Sequence, residues 1–98
     1  MEFEYADEDL ARLASDAAYT GSWSAEIVRK FRMLVTLIRN AKDERDFYAL
    51  KSLRYEKLRG SRQHQRSMRL NKQWRLIIEL HGDTPNRKVL IVAIEDYH

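Results

Sequence analysis

The stretch Arg66-Ser67-Met68-Arg69-Leu70-Asn71-Lys72-Gln73-Trp74-Arg75-Leu76-Ile77-Ile78-Glu79-Leu80 decides how this chain folds. Its apolar residues recur every second position, the period of a strand with one buried face. Over Arg66 to Asn71, Met68 and Leu70 point one way and Ser67, Arg69 and Asn71 the other. Over Trp74 to Leu80, Trp74, Leu76, Ile78 and Leu80 share one face, with Arg75, Ile77 and Glu79 opposite. Lys72 and Gln73 fall where a hairpin turn is needed, without the Asn-Gly chemistry of an ideal one.

Downstream, Gly82 to Asn86 forms a turn cluster, and Lys88 to Glu95 reads as a further strand. Its stretch Val89 to Ile94 is apolar at every position, which predicts a central strand covered on both faces. Asp96, Tyr97 and His98 follow it at the mouth of the sheet.

Upstream, the period changes to 3.6. Met1 to Tyr5 alternates apolar and acidic residues, as a short edge strand does. Asp7 can cap a helix that carries Glu8 and Asp9 in its first turn and Leu10, Leu13, Ala14 and Ala17 along one face, with Gly21 just past its end. Ser24 caps a longer helix whose stripe is Ile27, Val28, Phe31, Leu34, Val35 and Ile38, with Arg29, Lys30, Arg32 and Arg39 on the opposite face. A shorter helical segment runs from Asp43 to about Leu50. Tyr55 to Leu58 reads as a brief strand ending at Gly60, and Ser61 to Gln65 as a loop. Helices first and sheet afterwards predict an α+β domain: a short N-terminal strand, two main helices, then an antiparallel sheet.

The chain has 98 residues, 44% of them hydrophobic, no cysteine and one proline, which fits one domain over residues 1–98. No apolar run approaches the roughly 18 residues of a membrane span, and no basic-then-apolar leader opens the chain. Without cysteine there is no disulfide framework, and His64, His81 and His98 show no paired zinc spacing, so no metal and no cofactor is expected. The cytoplasm is the default compartment.

The net charge of +3 conceals its distribution. Residues 51–75 hold nine Lys/Arg against the single acid Glu56, whereas residues 1–50 hold seven against ten and residues 76–98 two against four. Half the cations thus occupy a quarter of the chain, and six of those nine are arginine, the residue suited to bidentate phosphate contact. A solvated surface is the bland alternative, and a polyanion-docking face the informative one.

If the polyanion is RNA, cleavage without a metal needs a base for the 2′-hydroxyl, cations for the phosphoryl oxygens and an acid for the departing 5′-oxygen. Arg69 and Arg75 lie on the polar faces of hairpin strands and can project to the same side, and Arg59 precedes Gly60 near that surface. An unperturbed imidazole has its pKa nearest neutrality, which makes His98 a candidate for proton transfer, and Tyr97 can stack on a base or donate its hydroxyl. Asp96 can orient His98 or Arg75. Glu56 is either a structural partner of an arginine or a general base. Lys57, Arg62 and Arg66 complete the candidate phosphate-binding set with Arg59 and Arg69.

Lys57-Leu58-Arg59-Gly60, then Ser67-Met68-Arg69-Leu70-Asn71-Lys72-Gln73-Trp74-Arg75-Leu76, and the closing Glu95-Asp96-Tyr97-His98 resemble the HigB toxins, the plasmid-maintenance killer proteins of the RelE/ParE superfamily. The resemblance covers nearly the whole chain. It implies the toxin of a type II toxin-antitoxin pair, a metal-independent endoribonuclease that cuts mRNA in the ribosomal A site. It also implies a HigA-type helix-turn-helix antitoxin, through which alone the toxin would meet operator DNA. Position by position, Arg75, Tyr97 and His98 match functional residues of that family, Asp96 the acid of its terminal motif, and Arg69 the arginine of its Ser-Ile-Arg segment. Arg59 takes the place of the usual lysine. Glu56 stands where some members carry a histidine, and Arg66 where an aromatic residue is common. The alternative on the same scaffold is a non-enzymatic, ParE-like inhibitor of DNA gyrase, against which the titratable Asp-Tyr-His end argues. A third reading is a plain RNA-binding module.

Overall fold

A computed structural model describes residues 1–83 and 87–97. Among the described residues, five strands, β1 (Phe3–Tyr5), β2 (Glu56–Lys57), β3 (Gln65–Arg69), β4 (Trp74–His81) and β5 (Lys88–Asp96), form one sheet in the order β1-β5-β4-β3-β2, and three α-helices, α1 (Glu8–Ser15), α2 (Ala25–Asn40) and α3 (Arg45–Ala49), pack their apolar stripes on one face of it. The α+β class and the order of elements agree with the sequence reading.

The caps act as expected. Asp7 accepts from the Asp9 amide at 2.7 Å and Ser24 from the Ile27 amide at 3.2 Å, each satisfying a donor that a helix start leaves unpaired. All six residues of the α2 stripe are buried, with Phe31 and Ile38 fully so, against Met68, Leu76, Ile78, Val89 and Ile91 of the sheet. Arg32, read as a polar-face residue, reaches across instead and donates to the carbonyls of Leu13, Asp16 and Tyr19 at 3.0–3.1 Å. It thereby satisfies the C-terminal carbonyl of α1 and the loop after it.

Three expectations change. Strands β2 to β5 run antiparallel as predicted, but β1 joins the edge parallel to β5, with Phe3 opposite Val89, so the sheet is mixed. The hairpin turn is longer than the two residues expected: Arg69 pairs with Arg75, the Leu70 amide donates to the Trp74 carbonyl at 2.9 Å, and Asn71-Lys72-Gln73 form the loop. The Asn71 side chain makes this possible, its Oδ1 accepting from the amides of Gln73 and Trp74, both at 2.8 Å, in place of Asn-Gly geometry. Finally, β5 is internal to the sheet but covered on one face only. Val89 and Ile91 are fully buried, whereas Leu90 and the residues from Val92 to Ile94 are half-buried.

The apolar run of β5 has another cause. Ile77 pairs with Ala93 and Ile78 with Ile91, which leaves Val92 as the extra residue of a β-bulge. A bulge exchanges the two faces of a strand, because side chains alternate with period two. Val89 and Ile91 face the helices before it and Ile94 packs on the core after it, so neither parity is free to be polar throughout. Of the turn expected at Gly82 to Asn86, Gly82 has a positive φ of 86°, as turns require. Thr84, Pro85 and Asn86 lie outside the described residues.

Candidate functional site

The bulge at Val92 builds the site. After it, Glu95 pairs with Arg75, on the sheet face away from the helices, and Tyr97 falls on that same face one pleat later. The Arg75 guanidinium lies over the Tyr97 ring with its carbon 4.2 Å from the centroid. A cation over an aromatic face is attracted by the ring quadrupole, and the attraction strengthens as water is removed. Arg75 is 9% exposed, whereas Tyr97 is 54% exposed, so the ring forms the open lid of a buried charge.

Arg75 is held from two further sides. Its Nη1 donates to the Arg54 carbonyl at 3.3 Å and lies 3.9 Å from Glu56 Oε1. Glu56 faces this way because it pairs with Ser67, whose neighbours along β3 at one-residue spacing turn to the helices. Around these residues is a cleft of about 140 Å³ lined also by Leu58, Arg62, Ser67, Ile77 and Asp96. Arg62 is in the cleft but compensated, donating to Gln65 Oε1 and Glu95 Oε2, both at 2.8 Å. Beyond it, Gln65 donates to Glu79 at 2.9 Å, and this bond, aided by His81 and His64, holds the Glu79 carboxyl below its usual range.

The end of β5 is pinned to the hairpin loop. The Tyr97 amide donates to the Gln73 carbonyl at 2.6 Å, and Gln73 Nε2 donates to Asp96 Oδ2 at 3.0 Å. Asp96 pairs with Trp74 in register, whereas Glu95 is the acid opposite Arg75. Trp74 in turn meets Trp23 edge to face, ring centres 5.0 Å apart, so the loop that pins Tyr97 is anchored on the connection between α1 and α2.

Of the candidates named from the sequence, Glu56, Arg62, Arg75, Asp96 and Tyr97 meet in the cleft. Arg69 stands beside it as the register partner of Arg75. Arg59 is exposed between the cleft-lining Leu58 and Gly60, whose φ of 67° turns the chain there. Two candidates are placed elsewhere. Lys57 and Arg66 pair with each other on the opposite pleat, and Arg66 Nε reaches Glu44 at 3.3 Å on the helical side. The alternation that puts Met68 with the core puts Arg66 there too, so that signal was present in the sequence. His98 lies outside the described residues.

Three residues of the site escaped the sequence reading. Glu95 is found only through the bulge. Arg54 contributes its carbonyl, which no side-chain pattern reveals. Ser67 is 2% exposed, lines the cleft, and its hydroxyl has no hydrogen-bond partner. A larger apolar groove of about 820 Å³, lined by Val28, Met33, Leu37 and Leu50, shares no residue with the cleft. Among the described residues, no three His, Cys, Asp or Glu side chains are grouped to hold a metal ion. None of the described helices is long and apolar enough to cross a membrane.

The arrangement is a guanidinium clamp in a cleft that holds three carboxylates, of Glu56, Glu95 and Asp96, and one exposed phenol. Residues 3–98 match the model of a family described as the RelE-like toxin of type II toxin-antitoxin system HigB. Among solved structures, the chain is similar to a YoeB/ParE toxin from Agrobacterium tumefaciens, with 14% identity, all of both chains covered and a TM-score of 0.58. It is also similar to YafQ from E. coli strain BL21(DE3), with 17% identity, 98% of this chain and 92% of that one covered, and a TM-score of 0.62. At these identities the two structures speak for the fold alone. No curated protein sequence is significantly similar to the chain.

Proposed function

The chain belongs to the HigB-like family of RelE-like toxins of type II toxin-antitoxin systems, and on that premise we propose that residues 1–98 act as a single-domain, metal-independent endoribonuclease that cuts mRNA in the ribosomal A site. Membership of the family implies an antitoxin partner. A HigA-type helix-turn-helix antitoxin, with operator DNA reached only through it, and a cytoplasmic location belong to the same proposal.

The observation that carries the reading is the buried Arg75 guanidinium between the Tyr97 ring and Glu56. Arginine stays protonated at physiological pH, so it stabilises charge without exchanging protons. In the proposed reaction Glu56 takes the proton of the ribose 2′-hydroxyl, and the 2′-oxygen forms a bond to phosphorus. Arg75, with Arg69 and Arg59 outside it, stabilises the charge that grows on the phosphoryl oxygens. The bond from phosphorus to the 5′-oxygen breaks, and His98 or Tyr97 supplies the proton that oxygen needs. The products are a 2′,3′-cyclic phosphate and a 5′-hydroxyl. Tyr97, half exposed above the clamp, is also placed to stack on a base of the strand, a contact worth about 1–3 kcal/mol.

The test is mapping of mRNA 5′ ends after brief expression of wild type and Arg75→Ala. Loss of a preorganised charge donor costs about 10²–10³ in rate, so new 5′ ends in the wild type and their loss in Arg75→Ala are expected. A variant that cleaves within twofold of the wild type rules the assignment out, and supercoiling changes without new mRNA ends point to gyrase.

A further inference from the structure

A third concavity, of about 840 Å³, opens between the start of α2, the 3₁₀ turn at Lys51–Leu53 and the hairpin loop. Its lining holds five cations, Lys30, Lys51, Arg54, Arg69 and Lys72, against one carboxylate, Glu26. Glu26 is engaged by Asn71 Nδ2 at 3.2 Å, a bond that joins helix to hairpin and forms one wall. None of the five cations makes an ion pair, although seven other arginine and lysine side chains of the described residues do. Cations brought together without counter-charge repel one another and gain when a polyanion arrives. Two links join this groove to the cleft: Arg54 accepts from Arg75 through its carbonyl, and Arg69 is the register partner of Arg75.

We propose that this groove binds the sugar-phosphate backbone of the RNA strand being cut, holding the nucleotides that flank the scissile bond. The inference rests on the nuclease reading and extends it, since of the five only Arg69 was named for phosphate contact and Lys30 lies outside the basic block. Lys30 is the informative member. It lies more than twenty residues before the basic block and comes to the groove by the packing of α2 against the hairpin. The RNA is read here through charge, so the contact is independent of sequence and sensitive to salt.

The test uses purified full-length protein without ribosomes and two RNA oligonucleotides, one of three nucleotides, long enough only to lie across the cleft, and one of nine that also reaches the groove. Lys30→Gln/Lys51→Gln/Lys72→Gln is compared with the charge-matched control Arg29→Gln/Arg39→Gln/Lys42→Gln, all six positions being exposed. Melting temperatures check that both variants fold. Wild type and control should bind the longer RNA more tightly than the shorter. The groove variant should lose that gain, and its plot of log affinity against log salt should be shallower by about 2, at roughly 0.7 for each phosphate on a single strand.

Equal losses in the two variants overturn the groove, as does a groove variant that binds like wild type. Where the 5′-end mapping after expression shows cleavage by the wild type, a groove variant that binds RNA like wild type overturns the groove and leaves the nuclease reading standing. Where that mapping shows no cleavage, length-dependent binding that vanishes in the groove variant supports the groove and removes the nuclease reading.

Discussion

Arg54 is the one non-glycine residue with a positive φ among those described, at φ 46° and ψ 48°. An L-residue in this left-handed region is disfavoured by about 1–2 kcal/mol. Here the conformation ends the 3₁₀ turn and aims the Arg54 carbonyl at Arg75 while its side chain lines the basic groove. Glycine would adopt the same backbone freely but would widen the unfolded ensemble, at a cost of about 0.4–1 kcal/mol. Arg54→Gly is therefore expected to change stability by less than about 1 kcal/mol in urea unfolding while weakening RNA binding. A drop beyond about 2 kcal/mol would show that the side chain holds the fold rather than the ligand.

At the scale of the element, β5 does two tasks with one strand. Its first half closes the core through Val89 and Ile91, and its second half presents Glu95 and Tyr97 to Arg75. The bulge at Val92 separates the two, since unbroken alternation of the same residues from Val89 would put Glu95 and Tyr97 on the helical face and Ile94 on the other. Deleting Val92 alone removes the bulge and leaves Ile91 opposite Ile78 and Ala93 opposite Ile77 in an unbroken ladder, so Glu95 and Tyr97 keep their face and cleavage should be retained. Deleting Val92 together with Ala93 turns the Glu95 carboxylate towards the core or pulls the strand end from the ladder, and should abolish cleavage. Cleavage by the double-deletion variant at the wild-type rate would show that the facing of this strand end does not orient the site.

Across the whole molecule, the helical layer and the sheet are tied by one carboxylate. Glu44, at the start of α3, accepts from Tyr55 at 2.7 Å before β2, from Arg66 at 3.3 Å on β3 and from Arg87 at 3.1 Å before β5. Burial first, and then the bond to Glu44, push the Tyr55 hydroxyl well above its ordinary pKa of 10.0. A raised folded-state pKa means that the folded protein holds this proton more tightly than the unfolded chain. Its stabilising effect is complete below about pH 10 and is lost as pH rises further. Urea unfolding should therefore show wild-type stability falling above about pH 10. Tyr55→Phe should start lower by about 1 kcal/mol, the worth of one such hydrogen bond, and decline less over the same range. Parallel declines in the two proteins would exclude Tyr55 as the cause.

Much of this molecule is legible in the order of its residues. The two caps, the α2 stripe, the change of period near Arg66 and the placing of Arg69 and Arg75 on one side of a hairpin all follow from local chemistry, because a cap or an alternation involves neighbours a few positions apart. Arg66 and Lys57 could be misplaced only by reading their charge before their parity. What neighbours cannot show is a register. The bulge that brings Tyr97 over Arg75, the carbonyl of Arg54 beneath it and the arrival of Lys30 beside Lys51 and Lys72 depend on which residues oppose one another across strands and layers. The sequence by itself determined the α+β order and the supply of arginine. Only packing decided which arginines share a site, because a single extra residue in β5 exchanges its two faces without leaving a mark in an apolar run.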